Sequence, residues 1–172
     1  MLFRSPGYSG IALIGGIHGN EPAGCYTLSK YQQNQLTKPH LVIPCVNKPA
    51  LQLNTRQTWH GDLNRQFEQN SSPEIIKKIK QQLSNSWLVL DFHEGWGWNC
   101  ENSNSLGSTI TPNHPALIPV CKKLIQGLST CWSVNPVKTS HKIPGTLSRW
   151  CIDQNKFHIL IETTGQDNIQ SM

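Results

Sequence analysis

Apolar and polar positions along the chain form two alternating patterns. Short apolar runs of strand length are separated by longer stretches in which apolar residues recur at helical spacing. The apolar runs predict strands over residues 10–15, 40–46, 87–92, 132–137 and 157–162. The helical stretches predict helices over residues 21–35, 73–84, 115–128 and 145–154.

This alternation predicts an α/β fold. The predicted strands are nearly continuous apolar runs, which is typical of a sheet covered by helices on both faces. We therefore expect a three-layer α/β/α arrangement around a twisted, mostly parallel mixed sheet. A length of 172 residues suits a single domain. Residues 47–67 and 94–113 show no regular pattern and are predicted to be long irregular loops, which are often functional.

Composition narrows the class of protein. No apolar run approaches the roughly 18 residues of a membrane-spanning helix, and the N-terminus lacks the zones of a signal peptide. These features predict a cytoplasmic protein with no membrane partner. A net charge of +5 raises the question of nucleic-acid binding, but the basic residues are dispersed along the chain. We expect no nucleic-acid partner, and a positive field that favours anionic substrates.

The six cysteines are widely scattered and include no Cys-x-x-Cys pair. A disulfide framework would suit a smaller secreted chain, and a zinc knuckle needs close pairs. Most of the cysteines are therefore predicted to be free thiols that pack as small apolar side chains. They are Cys25, Cys45, Cys100, Cys121, Cys131 and Cys151.

Chemically competent side chains stand at or just beyond the ends of three predicted strands. His18 and Glu21 follow the first strand after two glycines, His93 follows the third, and Glu162 ends the last. Ligands of open α/β sheets gather outside the carboxyl ends of the strands, so these residues are expected to converge. Two histidines and one carboxylate form a catalytic zinc set that leaves a position open for water. The sequence therefore suggests a zinc hydrolase.

Other residues suit the remaining steps of such a reaction. Arg65 presents a planar fork matched to a substrate carboxylate, and Asn64 adds a donor beside it. Arg56 is a candidate to stabilise a developing oxyanion. Glu162 is a candidate to take a proton from the attacking water and return it to the leaving amine.

Each of these residues also has an ordinary structural explanation. The structural explanation of His18 is an ordinary surface histidine, with Glu21 complementing a helix N-terminus. The structural explanation of His93 is a histidine at the end of a strand that is hydrogen-bonded to the backbone. The structural explanation of Arg65 is a surface ion pair with Asp62, and that of Arg56 is an ordinary surface arginine. The structural explanation of Glu162 is a helix cap or an ion pair. Asp91 fits either a carboxylate that orients a ligand imidazole or a cap on a backbone N–H. His60 and His114 are rival metal ligands, although both stand in polar sequence.

Six short motifs carry a resemblance to a known family. They are residues 18–24 (HGNEPAG), residues 47–50 (NKPA), Arg56, residues 62–67 (DLNRQF), residues 91–93 (DFH) and residues 161–162 (IE). In this order they resemble the aspartoacylase/succinylglutamate desuccinylase family, within the zinc carboxypeptidase A superfamily. The resemblance runs from about residue 10 to residue 165.

The resemblance implies a role for each motif residue. It implies that His18, Glu21 and His93 bind one Zn2+ per chain, and that Arg56 polarises the scissile carbonyl. It implies that Asn64 and Arg65 hold the carboxylate of the amino-acid portion. Glu162 would activate water. The superfamily fold, a twisted mixed sheet between helices, agrees with the expectation from the hydrophobic pattern.

The chain departs from the family that it resembles in two ways. It stops ten residues after Glu162, so residues 1–172 are expected to form a single catalytic domain without the C-terminal domain of longer deacylases. It also has no tyrosine between His93 and Glu162, where carboxypeptidases place one. Trp96 and Trp98 follow His93 and fit either a pocket wall or the core.

We expect a hydrolase that cleaves an amide bond next to a free carboxylate, in a small molecule or short peptide. The first candidate is an N-acyl amino acid deacylase. The alternative enzyme is a metallocarboxypeptidase that trims short peptides, such as cell-wall or glutamyl peptides. An inactive metal- or peptide-binding module is the alternative of another class, and the presence of Glu162 and Arg56 argues against it.

Overall fold

One mixed sheet runs through the described part of the chain. The computed structural model describes residues 3–4, 10–31, 40–68, 72–95, 108–128, 132–134 and 143–164. The strands within these residues are β1 (Phe3–Arg4), β2 (Gly10–Gly15), β3 (His40–Ile43), β4 (Ser86–Gly95), β5 (Thr109–Pro112), β6 (Ser133–Val134) and β7 (Phe157–Thr164). The α-helices are α1 (Pro22–Lys30), α2 (Lys48–Gln52), α3 (Glu74–Gln82), α4 (Ile118–Gln126) and α5 (Leu147–Asp153). Short 3-10 turns occupy Leu63–Arg65, Leu83–Asn85 and Pro115–Leu117.

The strand order confirms the predicted mostly parallel mixed sheet. The order across the sheet is β1-β3-β2-β4-β7-β5-β6. Strands β3, β2, β4 and β7 are parallel neighbours, and β6 is parallel to β5. Antiparallel pairing occurs where β1 meets β3 and where β5 meets β7. The carboxyl ends of β2, β4 and β7 consequently lie at the same edge of the sheet.

Side chains from the strands pack against helices on both faces of the sheet. Ala12 and Ile14 of β2 are buried in a cluster with residues of α3 and α5, whereas Leu13 packs with Leu28 of α1. On the same face as α1, Ile159 of β7 packs with residues of α4. This alternation along each strand is the two-residue period of a sheet, and it produces the three predicted layers.

The predicted irregular segments contain regular structure, which corrects that expectation. Residues 47–67 include α2, which begins where the Asn47 side chain accepts a hydrogen bond from the Ala50 N–H at 3.3 Å. Residues 94–113 include β5, whose sequence Thr-Ile-Thr-Pro is too short and polar for a strand signal. The ladder to β7 forms β5, so tertiary pairing rather than local propensity decides it. Trp96, Trp98, Cys100 and Cys131 lie outside the described residues.

The described cysteines are free thiols, as the sequence predicts, and the closely spaced lysines of α3 face solvent. Lys77 and Lys78 are exposed on α3. The four described cysteines are free thiols, of which three are buried and Cys45 is half-buried. No helix of the described residues is long and apolar enough to cross a membrane.

Gly145 joins the segment around Arg65 to the start of α5. Its carbonyl accepts a hydrogen bond from the Phe67 N–H at 2.8 Å, and its φ of +78° is in the left-handed region. A Cβ on Gly145 would lie 2.1 Å from the Arg65 carbonyl oxygen, so the backbone would have to move.

We predict that Gly145→Ala lowers the free energy of unfolding by roughly 1–3 kcal/mol, measured by denaturant titration. Gly127→Ala is the matched control. Gly127 has a φ of −89°, and its added Cβ would meet nothing closer than 3.8 Å. The control should stay within about 0.5 kcal/mol of wild type. Equal effects of the two substitutions would contradict the packing described for Gly145.

Candidate metal centre

Three backbone features bring the predicted ligands together. His18 lies in the turn that follows β2, and Glu21 is the N-cap residue of α1. Pro22 occupies the first helical position, where its missing N–H costs nothing. His93 lies in the last part of β4, the strand that is hydrogen-bonded beside β2. The parallel order of β2 and β4 therefore places residues from distant parts of the sequence at one edge of the sheet.

The Glu21 carboxylate contacts both histidines. Its Oε1 lies 2.8 Å from His18 Nδ1, and its Oε2 lies 2.7 Å from His93 Nδ1. The two imidazole rings meet edge to face with their centroids 5.0 Å apart. All three side chains are buried, and their ligand atoms lie within 4.8 Å of one another. The structure thus brings together the whole predicted ligand set.

A second layer of carboxylates stands behind the histidines. Asp62 Oδ1 lies 3.0 Å from His18 Nε2, and Asp91 Oδ2 lies 3.1 Å from His93 Nε2. The Asp62 contact is a hydrogen bond that favours a proton on His18 Nε2 and leaves Nδ1 for a metal, whereas Asp91 approaches His93 Nε2 as an ion pair without hydrogen-bond geometry. Two imidazole nitrogens and one carboxylate oxygen are the donors that zinc takes at catalytic sites. The residues present therefore fit a zinc ion.

The charges of this cluster depend on one another. Burial alone would raise the pKa of Glu21, but hydrogen bonds with His18 and His93 outweigh it and hold that pKa far below its usual range. The same balance, between burial and the neighbouring histidines, lowers the pKa of Asp62 and of Asp91. Burial opposes a charge on His93, yet Asp91 and Glu21 raise its pKa well above the ordinary value. The carboxylates of the metal-free cluster are consequently ionised at neutral pH.

Glu162 lies beside this cluster but in a different environment. It is the register partner of His93 across the parallel pair of β4 and β7. Burial raises the pKa of Glu162 from 4.5 to about 7, and the charges of Glu21 and Asp91 add to the shift. A carboxyl group with a pKa near neutrality can both accept and return a proton under physiological conditions.

Arg56 borders the cluster on its solvent side. Its Nη1 donates to Glu21 Oε1 at 3.1 Å, and its Nη2 donates to Asp62 Oδ2 at 3.2 Å. The side chain is 46% exposed, so part of the guanidinium faces solvent. The structure therefore places Arg56 next to the predicted ligands, with part of its guanidinium open to solvent.

Asn64 and Arg65 follow Asp62 on a 3-10 turn. The Asp62 side chain accepts a hydrogen bond from the Asn64 N–H at 2.8 Å and so caps this turn. Asn64 Oδ1 accepts from the Leu147 N–H at 2.9 Å, which anchors the turn to α5. Arg65 is exposed, and its Nη1 donates to the Asn64 carbonyl at 2.7 Å. Because Asp62 also contacts His18, this turn is tied directly to the cluster.

The rival ligands lie elsewhere. His60 is exposed and its ring lies 5.3 Å from that of Trp59. His114 is exposed, and its Nδ1 accepts from the Ala116 N–H at 3.2 Å. Neither belongs to the donor cluster found among the described residues.

Two carboxylates of this cluster, Asp62 and Glu94, were given no site role by the sequence analysis. Asp62 stands 44 residues from His18, and nothing in the sequence pairs them. Glu94 is buried and accepts a hydrogen bond from the Ala23 N–H in the first turn of α1, while its own N–H donates to Glu21 Oε2 at 3.3 Å. The only available signal for Glu94 was its position next to His93.

A protein-family model matches residues 9–108, more than half of the chain. Its description is succinylglutamate desuccinylase/aspartoacylase catalytic domain. The chain belongs to this family. The matched region includes the three predicted ligands, Arg56 and the turn with Arg65, and Glu162 lies beyond it. Comparison with curated protein sequences finds no match.

Solved structures of similar fold add a second comparison. The tripeptide-bound cell shape determinant Csd4 from Helicobacter pylori superimposes with a TM-score of 0.81 at 21% identity, over 98% of this chain and 50% of Csd4. The murein-tripeptide amidase MpaA from Escherichia coli O157 gives 0.70 at 22% identity, over 95% of this chain and 77% of MpaA. The chain thus spans about half the length of Csd4 and shares its fold.

We predict that purified protein binds about one zinc ion per chain, because three ligands converge at one point. His93→Ala should lose most of the zinc, measured by plasma mass spectrometry after dialysis. His114→Ala is the matched control and should keep it, because His114 is exposed and caps a turn. Full zinc retention by His93→Ala would overturn the ligand assignment.

A further prediction concerns metal-free protein and follows from the raised pKa of Glu162. Because the folded pKa of about 7 exceeds the ordinary 4.5, the neutral carboxyl stabilises the fold below pH 4.5. That contribution falls as the pH rises toward and through 7. The unfolding free energy of wild type minus that of Glu162→Gln should therefore drop by at most about 3 kcal/mol between these pH values. Glu74→Gln, which alters an exposed carboxylate on α3, should show no such drop. A pH-independent difference for Glu162→Gln would contradict the shift.

Proposed function

We propose that this protein is a zinc-dependent hydrolase that cleaves an amide bond next to a free carboxylate. The observation that carries the proposal is the convergence of His18, Glu21 and His93 with Glu162 beside them. Membership of the succinylglutamate desuccinylase/aspartoacylase family supports it. Residues 1–172 would form one catalytic domain. A cytoplasmic location, without nucleic-acid or membrane partners, belongs to the same proposal.

His18, Glu21 and His93 would hold one zinc ion through Nδ1, a carboxylate oxygen and Nδ1. Bound zinc polarises a carbonyl and makes water a nucleophile near neutral pH. Asp62 would keep the His18 imidazole in the required orientation through its hydrogen bond at Nε2, and the charge of Asp91, 3.1 Å from His93 Nε2, would favour the position of the second imidazole.

Glu162 would move the proton. In its ionised form the carboxylate accepts a proton from the attacking water, and in its neutral form it donates that proton to the departing nitrogen. Without zinc the pKa of Glu162 is about 7, so both forms are accessible at neutral pH. A bound Zn2+ would favour the ionised form, which is the form that accepts the proton. The carboxylates of Glu21, Asp62 and Asp91 have lowered pKa values and would stay ionised throughout. The environment of Glu162 raises its pKa and suits it to proton transfer, whereas the environments of the other three carboxylates keep them charged.

Cationic side chains would position the substrate. Arg56 sits at the edge of the cluster with a partly exposed guanidinium, where it would donate to the oxygen of the scissile carbonyl as charge develops there. Arg65 is exposed on the neighbouring turn, and its fork would bind the substrate carboxylate. Asn64 would act beside it, although its Oδ1 is already used to hold α5.

Two substrate classes fit this arrangement. An N-acyl amino acid is favoured by the family match. A short peptide is favoured by the fold similarity to Csd4, described as a D,L-carboxypeptidase, and to MpaA. Both classes present an amide bond near a free carboxylate. The presence of Glu162 and Arg56 beside the three proposed ligands argues against an inactive binding module.

The test is a zinc-loaded activity screen over N-acyl amino acids and short peptides, with release of amine as the readout. Glu162→Gln keeps the shape and removes the base, so kcat should fall by about 10²-fold or more while zinc stays bound. Arg65→Ala should raise KM, and it can also lower kcat through misplacement of the substrate. Wild type should process an amide analogue of the best acid substrate poorly, and Arg65→Ala should discriminate far less between acid and amide.

Arg149→Ala is the matched control for the loss of an arginine. Arg149 is bound by Asp153 on α5 and should leave the preference for acid over amide unchanged. If wild type and Arg65→Ala cleave acid and amide equally well, Arg65 does not dock the carboxylate. Unchanged kcat in zinc-loaded Glu162→Gln would remove Glu162 from the mechanism.

A further inference from the structure

Two thiols from different elements meet behind the turn that carries His18. Cys25 belongs to α1, and Cys45 follows β3. A Cβ added to Gly16 would lie 2.1 Å from Cys25 Sγ and 3.1 Å from Cys45 Sγ, so both sulfurs border one small volume. The two thiols also share a hydrogen bond. Gly16, with a φ of +64°, turns the chain here and leaves space for both sulfur atoms.

A cavity of about 350 Å³ opens onto this pair. Both cysteines line it, together with Tyr26, Ser29, Lys48 and Leu51. Cys45 is half-buried, whereas Cys25 is only 2% exposed. A small molecule in the cavity would therefore reach Cys45 first, and Cys25 would stand behind it.

The surroundings make the two sulfurs chemically unequal. The hydrogen bond from Cys25 and the charge of Lys48 lower the pKa of the Cys45 thiol, against the opposing effect of burial. The same hydrogen bond and burial raise the pKa of Cys25. The thiolate is the nucleophilic form of cysteine, so Cys45 is the better nucleophile of the pair.

The other two described cysteines differ from this pair. Cys121 and Cys151 are fully buried, and burial raises the pKa of each, that of Cys121 to about 11. Neither lines the cavity described above. They therefore serve as internal references for thiol reactivity.

We propose that Cys45 and Cys25 form a thiol–disulfide exchange site that accepts small disulfides in the adjoining cavity. The Cys45 thiolate attacks one sulfur of the disulfide, whose S–S bond breaks and releases one thiolate. A mixed disulfide remains on Cys45. Cys25 then attacks Cys45 Sγ, gives its proton to a departing thiolate and releases the second small thiol. The two protein thiols are oxidised to one disulfide, and the small disulfide is reduced to two thiols.

The test uses the full folded chain, freed of reductant and treated with oxidised glutathione. The products are quenched with acid and identified by intact mass and peptide mapping. Wild type should form a Cys25–Cys45 disulfide and retain little glutathione. Cys25→Ser should retain glutathione on Cys45, because the second thiol is missing. Cys45→Ser should leave Cys25 unmodified, and Cys121→Ser should behave like wild type.

The rates give a second readout. Cys45 should react on the order of tenfold or more faster than Cys121 and Cys151 in the folded protein, as its accessibility and thiolate character require. Unfolding the protein in denaturant should abolish that difference. Should Cys25→Ser fail to fold, Cys25→Ala takes its place in the same comparison. Glutathione that stays on Cys45 of folded wild type, without a link to Cys25, would overturn the proposal, as would equal rates at Cys45 and Cys121.

Discussion

The carboxylate of Glu21 is the contact on which the rest of the site depends. It meets His18 with one oxygen and His93 with the other, inside a buried region. A buried carboxylate is costly unless it is paired, so the partners of Glu21 must be held in place. They come from the turn after β2 and from the end of β4, two adjacent parallel strands, and Glu21 itself starts α1. One residue thus ties a turn, a helix and a strand at the edge of the sheet.

The carboxyl groups of the cluster are of two kinds, those with a lowered pKa and one with a raised pKa. Glu21, Asp62 and Asp91 face imidazoles, which lowers their pKa values despite burial. Glu162 is opposite His93 in the sheet register, yet burial and the neighbouring negative charges raise its pKa to about 7. Such a separation is typical of sites in which some carboxylates hold a cation and another transfers protons. All four side chains are carboxylic acids, so the difference between their pKa values arises from where each one lies relative to the neighbouring charges.

The turn after β2 serves two sets of residues. One side presents His18 to Glu21, and the other, at Gly16, leaves room for the thiols of Cys25 and Cys45. Backbone bonds from Val46 and Asn47 to Gly15 and Gly16 join the turn to the chain after β3. The proposed metal centre and the proposed thiol pair are therefore built around the same turn, but from different side chains.

The α/β class, the principal strands and the convergence of His18, Glu21 and His93 could be predicted from the sequence itself. Strand runs and local motifs are short-range signals, and side chains at the ends of parallel strands must meet at one edge. Strand β5 was missed because pairing with β7 decides it, and helix α2 was missed because its five residues are too few for a helical pattern to show. The contact of Asp62 with His18, the raised pKa of Glu162 and the meeting of Cys25 with Cys45 required the tertiary structure. Each of these features depends on residues that are distant in the sequence. Burial changes the pKa values of these groups, and the groups are buried only after the layers of the fold have packed.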